Sequence, residues 1–128
     1  MPSEPDPEVL RIVYRTAVEL GVSDKVLLAG FEAGVVESNM NNLDCGDRDS
    51  LGVFQQRPSQ GWGTPEQIMD VSYASNAFFT PAIKVAADNP GYTAGQVAQA
   101  VQISAYPDRY DAVEGTALKL IERARELG

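Results

Sequence analysis

The segment SDKVLLAGFEAGVVES, residues 23–38, begins with a helix cap and ends in a glutamate followed by a serine. Ser23 is a favoured N-cap, and Asp24 places a negative charge in the first turn, where the helix dipole stabilises it. The apolar residues recur at helical spacing: Val26, Leu27, Leu28, Phe31, Val35 and Val36. The segment therefore predicts a helix that begins after Ser23 and ends between Glu37 and Asn39.

Helix signals also occur on both sides of this segment. Asp6 can cap a helix that starts with Pro7, and Gly21 is the glycine expected just past its end. Two later Thr-to-Gln pairs have capping-box spacing: Thr64 with Gln67, and Thr93 with Gln96. The further predicted helices cover residues 7–20, 68–79, 81–88, 93–104 and 108–127.

The stretch from residue 39 to residue 63 breaks this helical pattern. Asn, Asp, Gly and Pro dominate it, as turns and loops require. Leu51, Val53 and Phe54 form its compact apolar group, which allows one or two short strands. We therefore expect a mainly α fold, of the α+β class, in which a helical domain carries a small loop or β-hairpin lobe.

The composition limits the chemistry open to the chain. Its 128 residues suffice for one domain over residues 1–128, and 44% hydrophobic with 22% charged residues is ordinary for a soluble globular protein. Histidine is absent and Cys45 is the one cysteine, which excludes histidine-dependent triads and internal disulfides and argues against structural zinc. Acid–base chemistry then falls to carboxylates, tyrosine or lysine, and we expect no metal and no organic cofactor.

The charge and the N-terminus restrict the partners. A net charge of −8 makes nucleic acid a poor partner, because phosphate binding requires clustered Lys and Arg. No apolar run reaches membrane-spanning length, so we expect no membrane insertion. The start of the chain is acidic and proline-rich, unlike a secretion signal. We therefore expect a protein made without a signal, or a domain cut from a larger protein.

Glu37 is the candidate catalytic residue. On a helical wheel it shares a face with the smallest residues of its helix, Gly30, Ala33 and Gly34, so a substrate could approach closely there. The negative end of the helix dipole and partial burial would both favour a protonated carboxyl group. A protonated glutamic acid is what a general acid in glycosidic cleavage requires. An ordinary solvated glutamate at a helix end is the competing interpretation.

The polar residues downstream suit the binding of a sugar. Gln55 and Gln56 offer amide donors and acceptors for hydroxyl and acetamido groups. Trp62, between two glycines, offers an aromatic platform for a pyranose ring. Each has a plainer interpretation, since glutamine is common on surfaces and a lone tryptophan is usually part of the core.

Three short motifs, Glu37-Ser38, Gly52-Val53-Phe54-Gln55 and Ala105-Tyr106, resemble those of the lytic transglycosylase and goose-type lysozyme superfamily. In that superfamily they read Glu-Ser, then Gly-Leu-Met-Gln or a close variant, then Ala-Tyr, usually followed by Asn. Residues 42–63 also resemble lysozyme-like domains of actinobacteria and their phages, which occur in cell-wall hydrolases and endolysins.

The resemblance implies a lysozyme-like fold and a muramidase that cuts peptidoglycan between N-acetylmuramic acid and N-acetylglucosamine. Glu37 matches the catalytic glutamate, and Tyr106 matches the tyrosine whose hydroxyl hydrogen-bonds it. Ser38 matches a residue that orients the substrate, and Gln55 matches one that lines the cleft. The protein would then act at the bacterial cell wall as a monomer. Because it is acidic, other domains would bring it to that anionic surface.

Two residues depart from the superfamily pattern. Phe54 stands where methionine is common, which changes the shape of a sugar subsite. Pro107 stands where asparagine is common, which removes a side-chain amide and puts that polar contact in doubt. An alternative is a tyrosine at position 106 that merely packs, half-buried, near a helix break.

The possible mechanisms differ in whether they need a second carboxylate. Asp47 and Asp49 are the best candidates for the partner that a glycosidase needs, and Asp44 is the third. These residues could also simply form turns, and Arg48 could pair with them. A lytic transglycosylase needs no partner, because the substrate's acetamido group assists and an anhydro sugar results. The cluster favours hydrolysis, with transglycosylation and a non-catalytic peptidoglycan-binding or structural module as alternatives.

Overall fold

The computed structural model describes residues 1–128 and is built from helices. They are α1 (Pro7–Leu20), α2 (Asp24–Ser38), α3 (Pro65–Ile68), α4 (Val71–Asp88), α5 (Ala94–Gln102), α6 (Arg109–Ala112) and α7 (Glu114–Leu127), with a 3-10 turn at Pro58–Gln60. The mainly α prediction is confirmed. No sheet forms, and the expected strands are reduced to one antiparallel bridge between Leu51 and Gln56. None of the helices is long and apolar enough to cross a membrane.

Local capping chemistry sets the helix starts. The Asp6 side chain accepts a hydrogen bond from the Glu8 N–H at 2.9 Å, and Ser23 caps α2 in the same way. Both predicted capping boxes are formed. Gly21 ends α1 with φ of 67°, in the left-handed region that glycine adopts without strain. The predicted bounds of α1 are therefore confirmed.

The region of α4 differs from the prediction. The sequence predicts a helical pattern over residues 68–79 and a proline at position 81 that either begins or kinks the next helical stretch to residue 88. In the structure α4 is one helix that passes through Pro81, so the proline does not begin a new helix. Packing against α1, α2 and α5 keeps it continuous although the proline lacks an N–H. Its start lies after Asp70, whose side chain accepts a hydrogen bond from the Tyr73 N–H at 3.2 Å.

The last two predicted helices are also interrupted. The helix predicted over residues 93–104 ends at Gln102, because Ile103 adopts the left-handed conformation with φ of 50°. The helix predicted over residues 108–127 is divided at Val113, which leaves helical geometry with φ of −102° and ψ of 15°.

Helix α2 lies at the centre of the packing and contacts α4, α5 and α7. Its small residues face the core. A Cβ atom on Gly30 would lie 2.4 Å from the Phe79 ring, and one on Gly34 would lie 2.1 Å from the Met40 sulfur. Core side chains therefore fill the face that was expected to admit a substrate, and that interpretation of the small residues is wrong.

The N-terminal segment holds the loop that follows α2. The side-chain amide of Asn39 donates a hydrogen bond to the Pro2 carbonyl at 3.2 Å, and that of Asn41 donates to the Glu4 carbonyl at 3.1 Å. These contacts link the first residues of the chain to the C-terminal end of α2, where Glu37 is located.

Candidate active site

A cavity of about 680 Å³ lies between the end of α2, the loop before the 3-10 turn, and the segment after α5. Cavities of this size suit small ligands or part of a polymer. Its wall contains six of the residues that the sequence singles out: Glu37, Asp47, Gln55, Gln56, Trp62 and Tyr106. Ser38, Asp49 and Phe54 do not line it.

Glu37 enters this cavity with its two carboxyl oxygens in different environments. Its Oε2 accepts a hydrogen bond from the Tyr110 hydroxyl at 2.7 Å and another from the Gln102 side-chain amide at 3.2 Å. Its Oε1 has no hydrogen-bond partner in the protein and is not among the fully enclosed polar atoms. Two donors on one oxygen fix the orientation of the group and leave the other oxygen free to meet a ligand.

Tyr110, and not Tyr106, hydrogen-bonds Glu37. Tyr110 is fully buried on α6, and burial followed by the hydrogen bond to Glu37 raises the pKa of its phenol above the usual range. The phenol therefore stays protonated and acts as a donor at any physiological pH. Tyr106 lines the cavity mouth with 63% of its surface exposed. The expectation for Tyr106 is wrong because the chain turns after Pro107 and brings the next tyrosine inward.

Gln102 is a site residue that sequence reasoning misses. Its Nε2 donates to Glu37 Oε2 and also to the Phe54 carbonyl at 2.9 Å. It thereby links the end of α5 to both the end of α2 and the loop. A glutamine at the end of an apolar helical pattern carries no sequence signal for this role.

Ser38 has a structural role. It is buried, and its hydroxyl donates to the Val53 carbonyl at 2.7 Å while accepting from the Asn41 N–H at 3.2 Å. The hydroxyl proton is thus committed to the loop and does not reach the cavity. The expected contact of Ser38 with a substrate is wrong, because its partners lie inside the fold.

Phe54 belongs to the hydrophobic core and not to a sugar subsite. It is 1% exposed, and its ring stacks on Phe78 with centroids 5.0 Å apart. Phe79 packs edge-on against Phe78 at 5.6 Å. The contribution of Phe54 to the site is its backbone carbonyl, which accepts the bond from Gln102.

The two glutamines after Phe54 differ. Gln55 has φ of 53°, and its side-chain amide donates to the Gly52 carbonyl at 3.1 Å, so it helps to close its own loop. Gln56 is buried and donates to the Ala74 carbonyl at 3.2 Å, while its Oε1 is buried without a partner. Both line the cavity.

The candidate second carboxylates Asp49 and Asp47 differ in the groups that they contact. Asp49 pairs with Arg57 through an O–N distance of 2.6 Å and accepts from the Ser59 N–H at 2.9 Å. The bonds from Arg57 and Ser59 hold the pKa of Asp49 well below its usual range. Asp49 therefore closes the loop as an ionised group, and Arg57 is its partner in place of Arg48. Asp47 is exposed and lines the cavity.

Trp62 is half-buried, packing on the hydrophobic core while lining the cavity. Asp44 is exposed outside the cavity wall. No group of three or more Asp, Glu, Cys or His side chains is arranged as a metal site.

In comparison with known proteins, the chain matches no family model and no curated protein.

Proposed function

We propose that the protein is a muramidase-type glycosidase with a lysozyme-like fold, which cleaves peptidoglycan glycan strands at the bacterial cell wall with Glu37 as general acid. The Glu37 carboxyl group carries the proposal: two donors hold Oε2 while Oε1 is free, in a cavity of about 680 Å³. The substrate class rests on the sequence motifs. Gln55 and Tyr106 from those motifs line the same cavity as Glu37.

Cleavage begins when neutral Glu37 transfers its proton from Oε1 to the glycosidic oxygen. The C–O bond breaks, the leaving sugar departs as an alcohol, and Glu37 becomes a carboxylate. Tyr110 and Gln102 stabilise that new negative charge, because both donate hydrogen bonds to Oε2. The same two bonds keep the carboxyl group oriented before the reaction, which reduces the entropy lost in reaching the transition state.

The second half of the reaction requires a group that delivers water or stabilises the sugar cation. Asp47 is the one other carboxylate in the cavity wall, whereas Asp49 is already paired with Arg57. We assign this role to Asp47, which makes the reaction a hydrolysis. The alternative needs no second carboxylate: the substrate's own acetamido oxygen bonds to C1 as the leaving sugar departs. The 6-hydroxyl of the same sugar then attacks C1, displaces the acetamido oxygen and gives its proton to the Glu37 carboxylate, which leaves a 1,6-anhydro sugar.

The test is digestion of purified actinobacterial peptidoglycan by the wild type and by Glu37→Gln. Glu126→Gln, an exposed position near the end of α7, is the matched control. We expect muropeptide release by the wild type and the control, and a loss of about 10²- to 10⁴-fold for Glu37→Gln, because the general acid is removed.

Equal release by Glu37→Gln and the wild type would contradict the assignment of Glu37. No release by a folded wild type from several cell-wall types would favour the non-catalytic binding module. Asp47→Asn separates the two reaction branches, because hydrolysis should fall strongly and transglycosylation should not.

A further inference from the structure

One arginine of the cavity wall forms no ion pair, in a protein whose net charge is −8 and whose cavity also contains the carboxyl groups of Glu37 and Asp47. Two arginines line the cavity, Arg57 and Arg109. Arg57 is paired with Asp49 at 2.6 Å, whereas Arg109 has no ion pair with any carboxylate of the chain. Arg109 also lies close enough to Tyr110 for its charge to oppose the rise in the pKa of that phenol. A guanidinium without an ion pair therefore lies near Tyr110, one of the two residues that hydrogen-bond Glu37.

The guanidinium is oriented by an aromatic ring at the cavity mouth. The Arg109 Cζ atom lies 5.6 Å from the centroid of the Tyr106 ring. Such a cation–π contact limits the positions that a long arginine side chain samples. The N–H groups of the guanidinium remain able to donate hydrogen bonds to an anion. Their planar arrangement fits a carboxylate, which can accept two of these bonds at once.

The segment that presents these side chains is held in a defined conformation. The Gln99 side chain donates to the Ser104 carbonyl at 3.0 Å and accepts from the Ser104 hydroxyl at 2.8 Å. The same hydroxyl accepts from the Tyr106 N–H at 3.2 Å. Ile103 adopts a left-handed φ of 50° and is 82% exposed, an unfavourable arrangement for a β-branched apolar residue. Strain of this kind concentrates at functional sites.

We propose that Arg109, oriented by Tyr106, binds a carboxylate of the peptide branch carried by the muramyl residue. The inference rests on the proposed function and deepens it, since it names the feature of the glycan that the site selects. A neutral polymer of acetamido sugars offers a guanidinium hydrogen-bond acceptors but no opposite charge, whereas a carboxylate offers both. An anionic substrate is repelled by an acidic protein unless a local positive charge receives it. Arg109 is thus a specificity-determining residue for peptide-bearing, carboxylate-bearing glycan.

The test uses peptidoglycan and the same peptidoglycan after its carboxylates have been converted to amides with a carbodiimide and ammonia. Cleavage and co-sedimentation are measured at low ionic strength for the wild type, Arg109→Gln and Arg123→Gln. Arg123 is an exposed arginine of α7 outside the cavity wall and serves as the matched control. For the wild type and the control, amidation should raise KM about tenfold with little change in kcat, the effect of one charge-assisted contact.

Arg109→Gln should show the raised KM already on native peptidoglycan, with no further rise on amidation, because both changes remove the same contact. The carboxylate assignment is overturned if amidation leaves the wild-type KM unchanged, or if Arg109→Gln responds to amidation as the wild type does. Failure of the proposed function gives a different result. If the folded wild type cuts neither substrate, yet binds native peptidoglycan in a way that depends on Arg109, the carboxylate contact is supported and the glycosidase proposal is refuted.

Discussion

The buried carboxyl group of Glu32 should make the free energy of unfolding depend on pH in an unusual way. This glutamate of α2 is 0% exposed, and neither carboxyl oxygen has a hydrogen-bond partner. Burial, with smaller contributions from the nearby carboxylates of Asp111 and Glu114, raises the pKa of Glu32 from 4.5 to about 8. The folded protein therefore keeps this carboxyl group protonated at neutral pH, where the unfolded chain ionises it.

The sign of the effect follows from proton binding. Between pH 4.5 and about 8 the unfolded state binds fewer protons at this site than the folded state, so raising the pH favours unfolding. Each rise of one pH unit in this window lowers the free energy of unfolding by about 1.4 kcal/mol. Between pH 4.5 and pH 7 the free energy of unfolding falls by about 3 kcal/mol. Below pH 4.5 both states are protonated and the effect disappears.

Replacing the carboxyl group by a neutral amide tests this reasoning. Glu32→Gln is nearly isosteric with the protonated acid, so its free energy of unfolding should match that of the wild type near pH 4. At pH 7 the variant should be more stable by about 3 kcal/mol, measured by urea denaturation followed by circular dichroism. Glu126→Gln, at an exposed position, should show no such pH-dependent difference. A difference between Glu32→Gln and the wild type that stays constant from pH 4 to pH 8 would refute the argument.

Three other substitutions test the contacts around the site. Tyr110→Phe removes a donor to Glu37 and should lower kcat about 10- to 100-fold with native-like circular dichroism; an unchanged kcat would exclude a role for this bond. Ser38→Ala leaves the buried Val53 carbonyl without its donor and should cost about 1–3 kcal/mol in urea unfolding with KM unchanged; a raised KM at full stability would restore its substrate role. Asp49→Asn should keep most of the activity in a muropeptide-release assay and cost under about 1 kcal/mol, as for a partly exposed ion pair; loss of activity would make it catalytic.

Local chemistry explains what could be predicted from the sequence. The ends of α1, the cap of α2 and the two capping boxes depend on residues within four positions of one another. The same holds for Glu37 at the end of α2, where the helix pattern alone places it beside a polar loop. Because these features need no knowledge of distant contacts, the predicted and observed positions agree.

The remaining features depend on contacts between distant parts of the chain. Phe54 is a plausible sugar contact until Phe78 of α4 stacks on it, and Gly30 is a plausible open surface until Phe79 fills it. The exchange of Tyr106 for Tyr110 has the same origin, since the path of the chain after α5 decides which ring points inward. No periodicity or motif within one segment reports such a choice.

Digestion in water enriched in ¹⁸O, with mass spectrometry of the products, tests the central claim most directly. The wild type should release muropeptides with new N-acetylmuramic acid reducing ends that carry one ¹⁸O atom, and Glu37→Gln should release almost none. If the new ends are 1,6-anhydro sugars without ¹⁸O, and Glu37→Gln forms none, the enzyme cleaves glycan through Glu37 but is a lytic transglycosylase and not a hydrolase. Intact glycan strands after incubation with folded wild type, or equal cleavage by Glu37→Gln, would contradict the assignment of this site as a glycosidase.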